Sequence, residues 1–197
     1  MPSTPPLVER KQRAARERIE RAAAELFAER GYAKVSVSDI AERAEVGRTT
    51  FFRHFGDKQE VVFAREEALL QALTAGRLGP TAAEDRSPRS AVQALQPVVL
   101  QLCAHITEDP EEYRRHEQLV EGNIELRRRS AAKTQVIARR MSTLLVDEGW
   151  DEDVARFAGQ IALACYATGR ASSDRAGALV DDTRAAFEQV LTLGAEQ

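Results

Sequence analysis

Residues 36–60, SVSDIAERAEVGRTTFFRHFGDKQE, decide the fold, because they contain two short helix patterns separated by a tight turn at residues 45–47. The second pattern, over about residues 48–55, is short and rich in Arg, Thr and His, unlike a core helix. A pair of this kind, packed on a longer N-terminal helix, presents its second helix to the major groove of DNA. The stretch therefore predicts a helix-turn-helix DNA-binding domain.

The boundaries of the helices in this domain carry local chemical signals. The first helix has an apolar face formed by Ile19, Ala22, Ala23, Leu26 and Phe27. Gly31 ends that helix, since glycine readily adopts the left-handed conformation that follows a helix. Ser36 with Asp39 three residues later predicts a capping box for the second helix. Gly56 ends the third helix and Asp57 caps the fourth.

The rest of the chain is also predicted to be helical, since strand-like alternation is nearly absent and Gly and Pro are scarce inside the periodic segments. Helix 4, from about residue 57 to about Leu73, is predicted to link an N-terminal domain, residues 1–60, to a C-terminal domain, residues 61–197. A polar loop over residues 76–90 follows it. Further helices are predicted over 89–107, from Pro110 to about Asn123, from there to Asp147, over 152–171, and from a cap at Asp174 to about Leu193. The fold class is therefore all-α, with about nine helices.

Composition bounds the class of protein. The chain of 197 residues is 43% hydrophobic and 30% charged, which is typical of a soluble protein with a buried core. No run approaches the roughly 20 apolar residues that span a bilayer, and no apolar leader is visible near the N-terminus. We therefore expect a cytoplasmic protein with no membrane partner. Cys103 and Cys165 lie in apolar helical patterns, which favours small core residues over the alternative of a redox switch.

Motifs for catalysis, cofactors and metals are missing from the sequence. The three histidines show no i,i+4 pairing and have no CxxC pair as neighbour. Glycine-rich phosphate loops and the GxSxG motif are absent as well. We therefore expect no metal site, no cofactor and no catalytic residue, which excludes the common classes of enzyme.

The net charge of −3 hides an asymmetry along the chain. Residues 1–58 carry 12 Lys and Arg against 9 Asp and Glu, whereas the remainder carries 16 against 22. A basic N-terminal part joined to an acidic remainder suggests that only the first part meets a polyanion.

The spacing of the aromatic residues in helix 3 predicts its outward side. Phe51 and Phe55 are four residues apart and are expected to face the core of the domain. The outward side then consists of Arg48, Thr49, Phe52 and Arg53. Arg48 begins the helix, where side chains reach base edges, and its guanidinium matches O6 and N7 of guanine. Thr49 can contact a base or a thymine methyl group.

Other residues are predicted to position phosphates. Thr50, His54 and Lys58 belong to this group, and Ser36 joins it as a helix N-cap that can also meet a phosphate. The predicted DNA-binding set is thus Ser36, Arg48, Thr49, Thr50, Phe52, Arg53, His54 and Lys58. Two alternatives stay open: Phe52 either packs or faces DNA, and the basic residues at the start of helix 1 either reach DNA or are solvated (Arg10, Lys11, Arg13, Arg16 and Arg18).

With these residues in view, the sequence resembles a TetR-family transcriptional regulator. The segment VSVSDIAERAEVGRTTFFRHFGDKQEVVF, residues 35–63, is similar to the DNA-binding signature of that family, and ELFAERGY closes helix 1 before it. The resemblance is specific over roughly residues 15–63. It implies a homodimer, a palindromic operator in double-stranded DNA, a small-molecule effector bound in the C-terminal domain and, usually, repression.

Three positions depart from the pattern of the family. Glu45 stands where members commonly have Gly, and Gly47 stands where they commonly have Ser. Gly caps a helix acceptably but offers no hydroxyl to a phosphate. Phe52 stands where most members have Tyr, so the expected phosphate hydrogen bond from that position is missing.

The last two predicted helices carry apolar stripes that suit a four-helix dimer interface, with two helices from each subunit. An intramolecular core is the alternative use of the same stripes. The predicted interface residues are Phe157, Ile161, Cys165, Phe187, Val190 and Leu191. A ligand pocket implied by the resemblance would lie among helices 4–8. Its candidate lining residues, for each of which core packing or surface exposure is the alternative, are Leu102, His105, Tyr113, His116, Met141 and Tyr166.

Three hypotheses follow. The favoured one is a dimeric repressor that a small molecule releases from its operator. The second is a dimeric DNA-binding factor without an effector, which the size of the C-terminal domain disfavours because dimerisation needs only two helices. The third, an all-α enzyme with an incidental helix-turn-helix, is remote because the sequence lacks catalytic motifs.

Overall fold

The computed structural model describes residues 7–64, 78, 85–172 and 176–193, and within these ranges all regular structure is helical. Nine α-helices and two short 3₁₀ helices fall in the described ranges, which confirms the predicted all-α fold. The chain divides into two compact units, Met1–Arg65 and Glu66–Gln197, a boundary slightly beyond the one predicted at residue 60. None of the described helices is both long and apolar enough to cross a membrane.

The N-terminal unit consists of α1 (Leu7–Arg30), a 3₁₀ helix (Tyr32–Lys34), α2 (Val37–Arg43), α3 (Arg48–His54) and α4 (Lys58–Val62). The predicted apolar face of α1 is confirmed, since its buried residues are Ile19, Ala22, Ala23, Leu26 and Phe27. The other three helices pack against α1. The unit is thus a three-helix core with the first turns of a fourth helix attached.

The predicted helix boundaries in this unit are confirmed at atomic detail. Gly31 ends α1 with φ of 76°. Ser36 and Asp39 form the capping box of α2, and Asp57 caps α4 by accepting the Glu60 N–H at 2.8 Å. The 3₁₀ helix between α1 and α2 was not predicted, because three residues are too few to show a periodicity. The predicted continuation of α4 to Leu73 lies outside the described residues.

The C-terminal unit consists of α5 (Pro88–Ile106), α6 (Pro110–Glu121), α7 (Ile124–Asp147), α8 (Glu152–Ser172), a 3₁₀ helix (Ala176–Ala178) and α9 (Leu179–Thr192). α8 is the central element, since it packs against α5, α7 and α9. Two glycines allow this, because Gly159 faces α7 and Gly169 faces α9 at distances that leave no room for a β-carbon. The core of the unit forms between these four helices.

Side-chain caps again mark most helix starts. Ser87 caps α5, one residue earlier than the sequence suggested, and Asp109 and Asp151 accept first-turn N–H groups of α6 and α8. The predicted start of α9 was wrong: α9 begins at Leu179 with Ala178 as N-cap, after a 3₁₀ helix. Asp174 itself, like most of the predicted loop over residues 76–90, lies outside the described residues.

Candidate nucleic-acid interface

The direction of α3 is set by the turn that precedes it. Ala41 O accepts the Val46 N–H at 2.9 Å, and Glu42 O accepts the Glu45 N–H at 3.0 Å. Glu45 adopts φ of 53°, a left-handed conformation that residues other than glycine rarely adopt. Gly47 then caps α3 in an extended conformation without a side-chain bond. The turn thus lies where the sequence predicted it, with a glutamate at its left-handed position.

Two phenylalanines anchor α3 in the unit. Phe51 is fully buried and Phe55 is 4% exposed, as their i,i+4 spacing predicted. Arg16 of α1 lies over the Phe55 ring, with its guanidinium carbon 4.6 Å from the ring centre, and pairs with Glu20 at 2.9 Å. Arg16 is one of the residues predicted either to reach DNA or to be solvated, and in the structure it covers the core. No local pattern predicts this contact, because Arg16 and Phe55 lie on helices far apart along the chain.

The outward side of α3 is formed by the predicted residues Arg48, Thr49, Phe52 and Arg53, all of which are exposed. Phe52 is 47% exposed, so packing in the core is not its role in this structure. Its ring meets Phe51 edge-on, with centroids 5.5 Å apart, and the Arg48 guanidinium lies 6.0 Å from its centre. A short, well-anchored helix therefore presents two cations, a hydroxyl and an aromatic ring on one face.

The two other α3 residues predicted to position phosphates, Thr50 and His54, are half-buried. The Nε2 atom of His54 is shielded from solvent and has no hydrogen-bond partner. Burial, together with the nearby positive charges of Arg53 and Arg16, lowers the pKa of His54 below its usual value. The lowered pKa favours the neutral form of the ring, and Nε2 does not face solvent in this conformation.

Ser36 is engaged in the capping box of α2. Its hydroxyl donates to Asp39 Oδ2 at 2.6 Å, and its Oγ accepts the Asp39 N–H at 3.2 Å. The same hydroxyl and the Ser36 N–H hold the pKa of Asp39 below its usual range. The hydroxyl hydrogen of Ser36 is thus already donated to Asp39. A phosphate contact by Ser36 stays a prediction.

Lys58 does not point away from the unit. Its Nζ donates to Tyr32 O at 2.9 Å and to Val35 O at 3.0 Å, and it lies 4.0 Å from the centre of the Tyr32 ring. The sequence suggested a phosphate seat at this helix N-terminus, but gave no signal for these internal acceptors. A phosphate contact by Lys58 would have to compete with them.

The charged residues of α1 and α2 divide into paired and solvated groups. α1 begins at Leu7, so the basic residues near the N-terminus that stay exposed belong to a regular helix: Arg10, Lys11, Arg13 and Arg18. Arg43 of α2 forms a two-pronged contact with Glu29 at 3.0 Å and a further one with Glu25 at 3.3 Å. Arg43 therefore links α2 to α1 across their exposed sides.

The residues predicted for a dimer interface fall into two groups in the C-terminal unit. Phe157 is 53% exposed, and Ile161, Val190 and Leu191 are half-buried at the edge of the core. For Cys165 and Phe187 the predicted place in a dimer interface does not fit the structure. They are 2% and 0% exposed, because the C-terminal unit itself covers their side chains. An apolar stripe at helical spacing contains both the core layer and the face above it.

The residues predicted to line a pocket lie in two clusters. Met141 belongs to the main core, with Tyr113 and Tyr166 packed at its edge, whereas Leu102 packs with Ile106 and Ile137. The two histidines are half-buried, and His105 Nδ1 contacts Gln101 O at 3.0 Å on its own helix (His105 and His116). Only part of the predicted set is therefore brought together.

Arg170 of α8 was missed by the sequence analysis. Its Nε donates to Glu117 Oε2 of α6 at 2.7 Å, and both side chains are about three-quarters covered. Burial alone would lower the pKa of Arg170, but the charge of Glu117 and its hydrogen bond outweigh that effect and raise the pKa. The ion pair thus joins α6 to α8 beside Tyr113 and Tyr166. No group of three His, Cys, Asp or Glu within the described ranges is placed to hold a metal ion.

Known proteins resemble the chain most specifically over the N-terminal unit. The family described as "Bacterial regulatory proteins, tetR family" matches residues 19–64. The transcriptional regulator TcmR of Streptomyces glaucescens is 46% identical over 76 residues, which cover 36% of this chain and 34% of TcmR. The chain thus aligns with about a third of the length of the curated relatives it matches.

Solved structures resemble a larger part of the chain. SmeT in complex with triclosan has a TM-score of 0.57 at 22% identity, covering 91% of each chain; SmeT is described as the repressor of a multidrug efflux pump of Stenotrophomonas maltophilia. FadR of Thermus thermophilus, a transcriptional repressor in complex with lauroyl-CoA, has a TM-score of 0.53 at 22% identity, covering 89% of this chain and 93% of FadR. At such identities the likeness shows the fold.

The segment that matches the family contains the features on which the interface depends. It includes the apolar face of α1, the capping box of α2, the anchored α3 and the start of α4. The solved structures extend the likeness to the all-α architecture of both units. Residues 19–64 therefore match the tetR family of bacterial regulatory proteins, and the chain as a whole is similar in fold to the solved structures.

Proposed function

We propose that the chain is a dimeric transcriptional repressor that binds a palindromic operator through α3 and leaves it when a small molecule binds the C-terminal unit. The observation that carries this proposal is the outward side of α3. Arg48, Thr49, Phe52 and Arg53 are exposed together, while Phe51 and Phe55 fix the helix from below. An anchored helix with polar residues at its start is how this motif reads the major groove.

Within this proposal Arg48 is the principal base reader. A guanidinium can bond O6 and N7 of guanine together, which is worth about 1–3 kcal/mol of discrimination against another base. Arg48 stands in the first turn of α3 and is exposed. Thr49 beside it contacts a base edge. Arg53, Thr50 and His54 contact the DNA backbone and so position the protein on the duplex. Arg48→Ala should therefore relax sequence preference at one position of each half-site.

A palindromic operator needs a two-fold protein, since half-sites lie about one turn of DNA apart. We place the dimer face on α8 and α9, where Phe157 is 53% exposed above the half-buried Ile161, Val190 and Leu191. Phe157→Glu should give a monomer in sedimentation velocity and lose operator affinity. Ile124→Glu on α7 is a matched control, because Ile124 is also 53% exposed but lies outside that face. Equal effects of the two changes would argue against this face.

An effector is proposed from the solved relatives and from the C-terminal unit itself. SmeT and FadR were solved with triclosan and lauroyl-CoA, respectively. In this chain Tyr113 and Tyr166 lie at the edge of the core beside the Arg170–Glu117 ion pair, which offers polar groups next to apolar ones. A ligand shifts the protein away from DNA only by its different affinity for the two states. Since an operator lies on the chromosome, the proposal places the protein in the cytoplasm.

The experiment that tests the proposal is a selection of bound sequences from random duplex DNA at about 150 mM salt, near physiological ionic strength. A recovered palindrome supports a specific two-fold reader. Recovery of no motif, with binding that vanishes as salt rises, would mean attraction to phosphates alone.

The same operator separates the repressor from a dimeric DNA-binding factor without an effector. Compounds that stabilise the protein against heat are titrated into the protein–operator complex. Release of the operator by at least one of them supports an effector. If stabilising compounds bind and never change operator affinity, the factor without an effector becomes the better description.

A further inference from the structure

Lys58 begins α4, yet its ammonium group is directed back to the connection between α1 and α2. It donates to Tyr32 O at 2.9 Å and to Val35 O at 3.0 Å, and lies 4.0 Å from the centre of the Tyr32 ring. The two residues that receive it are buried, with Tyr32 5% and Val35 2% exposed. The charge is therefore held by internal acceptors and an aromatic face at the same time.

The position of these acceptors gives the contact a geometric consequence. Tyr32 starts the 3₁₀ helix, and Val35 directly precedes Ser36, the N-cap of α2. On the other side, α4 starts at Lys58, only a short connection after the end of α3 at His54. The ammonium thus joins the start of α2 to the start of α4, and α3 lies between these two fixed points.

Moving this ammonium to a phosphate would be unfavourable. An ammonium group has three N–H donors, and two of them already make charge-assisted hydrogen bonds here. A phosphate that took the group would remove this donor from Val35 O and from Tyr32 O, of which Tyr32 O also accepts the Val35 N–H at 3.3 Å. Exposed cations such as Arg48 and Arg53 can meet phosphates without such a loss.

We infer that Lys58 is a positioning residue that fixes α3 by tying the start of α4 to Tyr32 and Val35, and that its charge is not among those that neutralise operator phosphates. This inference rests on the proposed function and revises the phosphate role that the sequence suggested. It also makes the start of α4 move together with α2 and α3. A shift of the start of α4 would then also move α2 and α3.

The salt dependence of operator binding separates the two roles of Lys58. Each neutralised phosphate contributes about 0.9 to the slope of log K against log salt concentration, so one contact per subunit adds about 1.8 for a dimer. For Lys58→Met we expect operator affinity to fall about tenfold, or about 1.4 kcal/mol, with the slope of the wild type. Arg53→Met, which removes an exposed cation from the same surface, should lower the slope. A slope lowered by Lys58→Met to the same extent would overturn the inference.

A double-mutant cycle tests whether Lys58 acts through Tyr32. Tyr32 is 5% exposed, so its side chain is not available to DNA, and Tyr32→Leu removes the ring on which the ammonium lies. We expect Tyr32→Leu to weaken operator binding severalfold and the double variant to bind about as weakly as Lys58→Met alone. Losses that multiply would show that Lys58 acts independently of Tyr32 and would contradict the inference. Thermal unfolding of each variant confirms that it is folded.

A measurement on the wild type covers the case in which Lys58→Met does not fold. An ammonium held by two carbonyl groups exchanges its hydrogens slowly, so the nitrogen-15 spectrum of the lysine side chains should show Lys58 in the free protein. On addition of operator its signal should stay in place. A rapidly exchanging group in the free protein, or a large shift on DNA, would overturn the inference. Failure of the proposed function would look different, since the wild type would then show no sequence preference at all.

Discussion

Gly169 of α8 and Thr183 of α9 are so close that a β-carbon at Gly169 would lie 2.7 Å from the backbone nitrogen of Thr183 and 2.8 Å from its Cα. Both residues are buried, and Thr183 Oγ1 also accepts the thiol of Cys103 at 3.7 Å. Thr183 Oγ1 is also close to this position, but rotating the Thr183 side chain cannot make room, because the nitrogen and Cα belong to the backbone. The absence of a side chain at Gly169 therefore sets the separation of α8 and α9.

Gly169→Ala should destabilise the protein by about 1–3 kcal/mol, the usual effect of inserting a methyl group into a closely packed site. The higher helix propensity of Ala would stabilise the protein by about 1 kcal/mol. A net loss of stability would therefore show that the clash outweighs this gain. Urea unfolding followed by circular dichroism measures the change. Gly177→Ala is the control, since a β-carbon at Gly177 meets nothing within 4 Å. Similar changes for both variants would contradict this account of the α8–α9 contact.

Glu45→Gly should stabilise the N-terminal unit. Glu45 holds φ of 53° in the turn before α3, which costs a residue with a β-carbon about 1–2 kcal/mol. Glycine avoids that cost but gives up about 0.4–1 kcal/mol through the greater freedom of the unfolded chain. The expected net gain is about 0–1.6 kcal/mol, visible as a higher thermal midpoint.

The control for Glu45→Gly is Glu42→Gly in α2, where the backbone is helical. Glycine there should destabilise by about 0.5–1 kcal/mol. Opposite signs for two Glu→Gly changes three residues apart would show that backbone conformation decides the effect. A loss of stability for both would mean that the Glu45 side chain makes a compensating contact.

The stability of the N-terminal unit should fall as pH decreases below about 6.5, the ordinary pKa of histidine. Burial and two neighbouring arginines lower the pKa of His54 in the folded protein. The unfolded chain therefore binds a proton at a higher pH than the folded one, so stability is complete above 6.5 and decreases towards the lowered pKa. Thermal midpoints between pH 5 and pH 8 for wild type and His54→Gln isolate this contribution, since the other two histidines remain in both. Parallel profiles would refute it.

The helices of the N-terminal unit could be predicted because each boundary has a chemical signal within a few residues of it. Gly31, the Ser36–Asp39 pair and Asp57 end or begin helices where the sequence indicated. The outward side of α3 follows from the same kind of local rule, since the spacing of Phe51 and Phe55 leaves Arg48 and Phe52 exposed. Contacts within about one helical turn can therefore be predicted from the sequence alone.

The contacts that adjust the site could not be predicted in this way. Lys58 finds the Tyr32 carbonyl 26 residues earlier in the chain, and Arg16 covers the ring of Phe55 from another helix. A basic residue near a helix start looks the same in the sequence whether its side chain binds DNA or packs inside the protein. The apolar stripe that contains Phe187 is ambiguous for a similar reason. The spacing of its residues shows which face of the helix is apolar, but only the packing of the chain decides whether that face is buried within the subunit.

Phe52 should read a thymine methyl group in each half-site. Its ring is 47% exposed on the outward side of α3, held edge-on against Phe51 and close to the Arg48 guanidinium. Phe has no donor or acceptor, so its contact with a base edge is apolar, and in the major groove the thymine methyl group is the apolar partner. Replacing that thymine by deoxyuridine removes one methyl group, worth about 0.8 kcal/mol or roughly a fourfold loss of affinity.

A deoxyuridine scan of the selected operator measures this contact position by position. Wild type should be sensitive at one thymine per half-site, and Phe52→Ala should bind the two operators equally at that thymine. Thr49 can also meet a methyl group, so Thr49→Ser, which removes only the methyl of that side chain, separates the two residues. If the sensitive thymine responds to Thr49→Ser and not to Phe52→Ala, the methyl reader is Thr49. Phe52 would then serve only to orient Arg48, and Phe52→Ala would weaken selection for guanine instead.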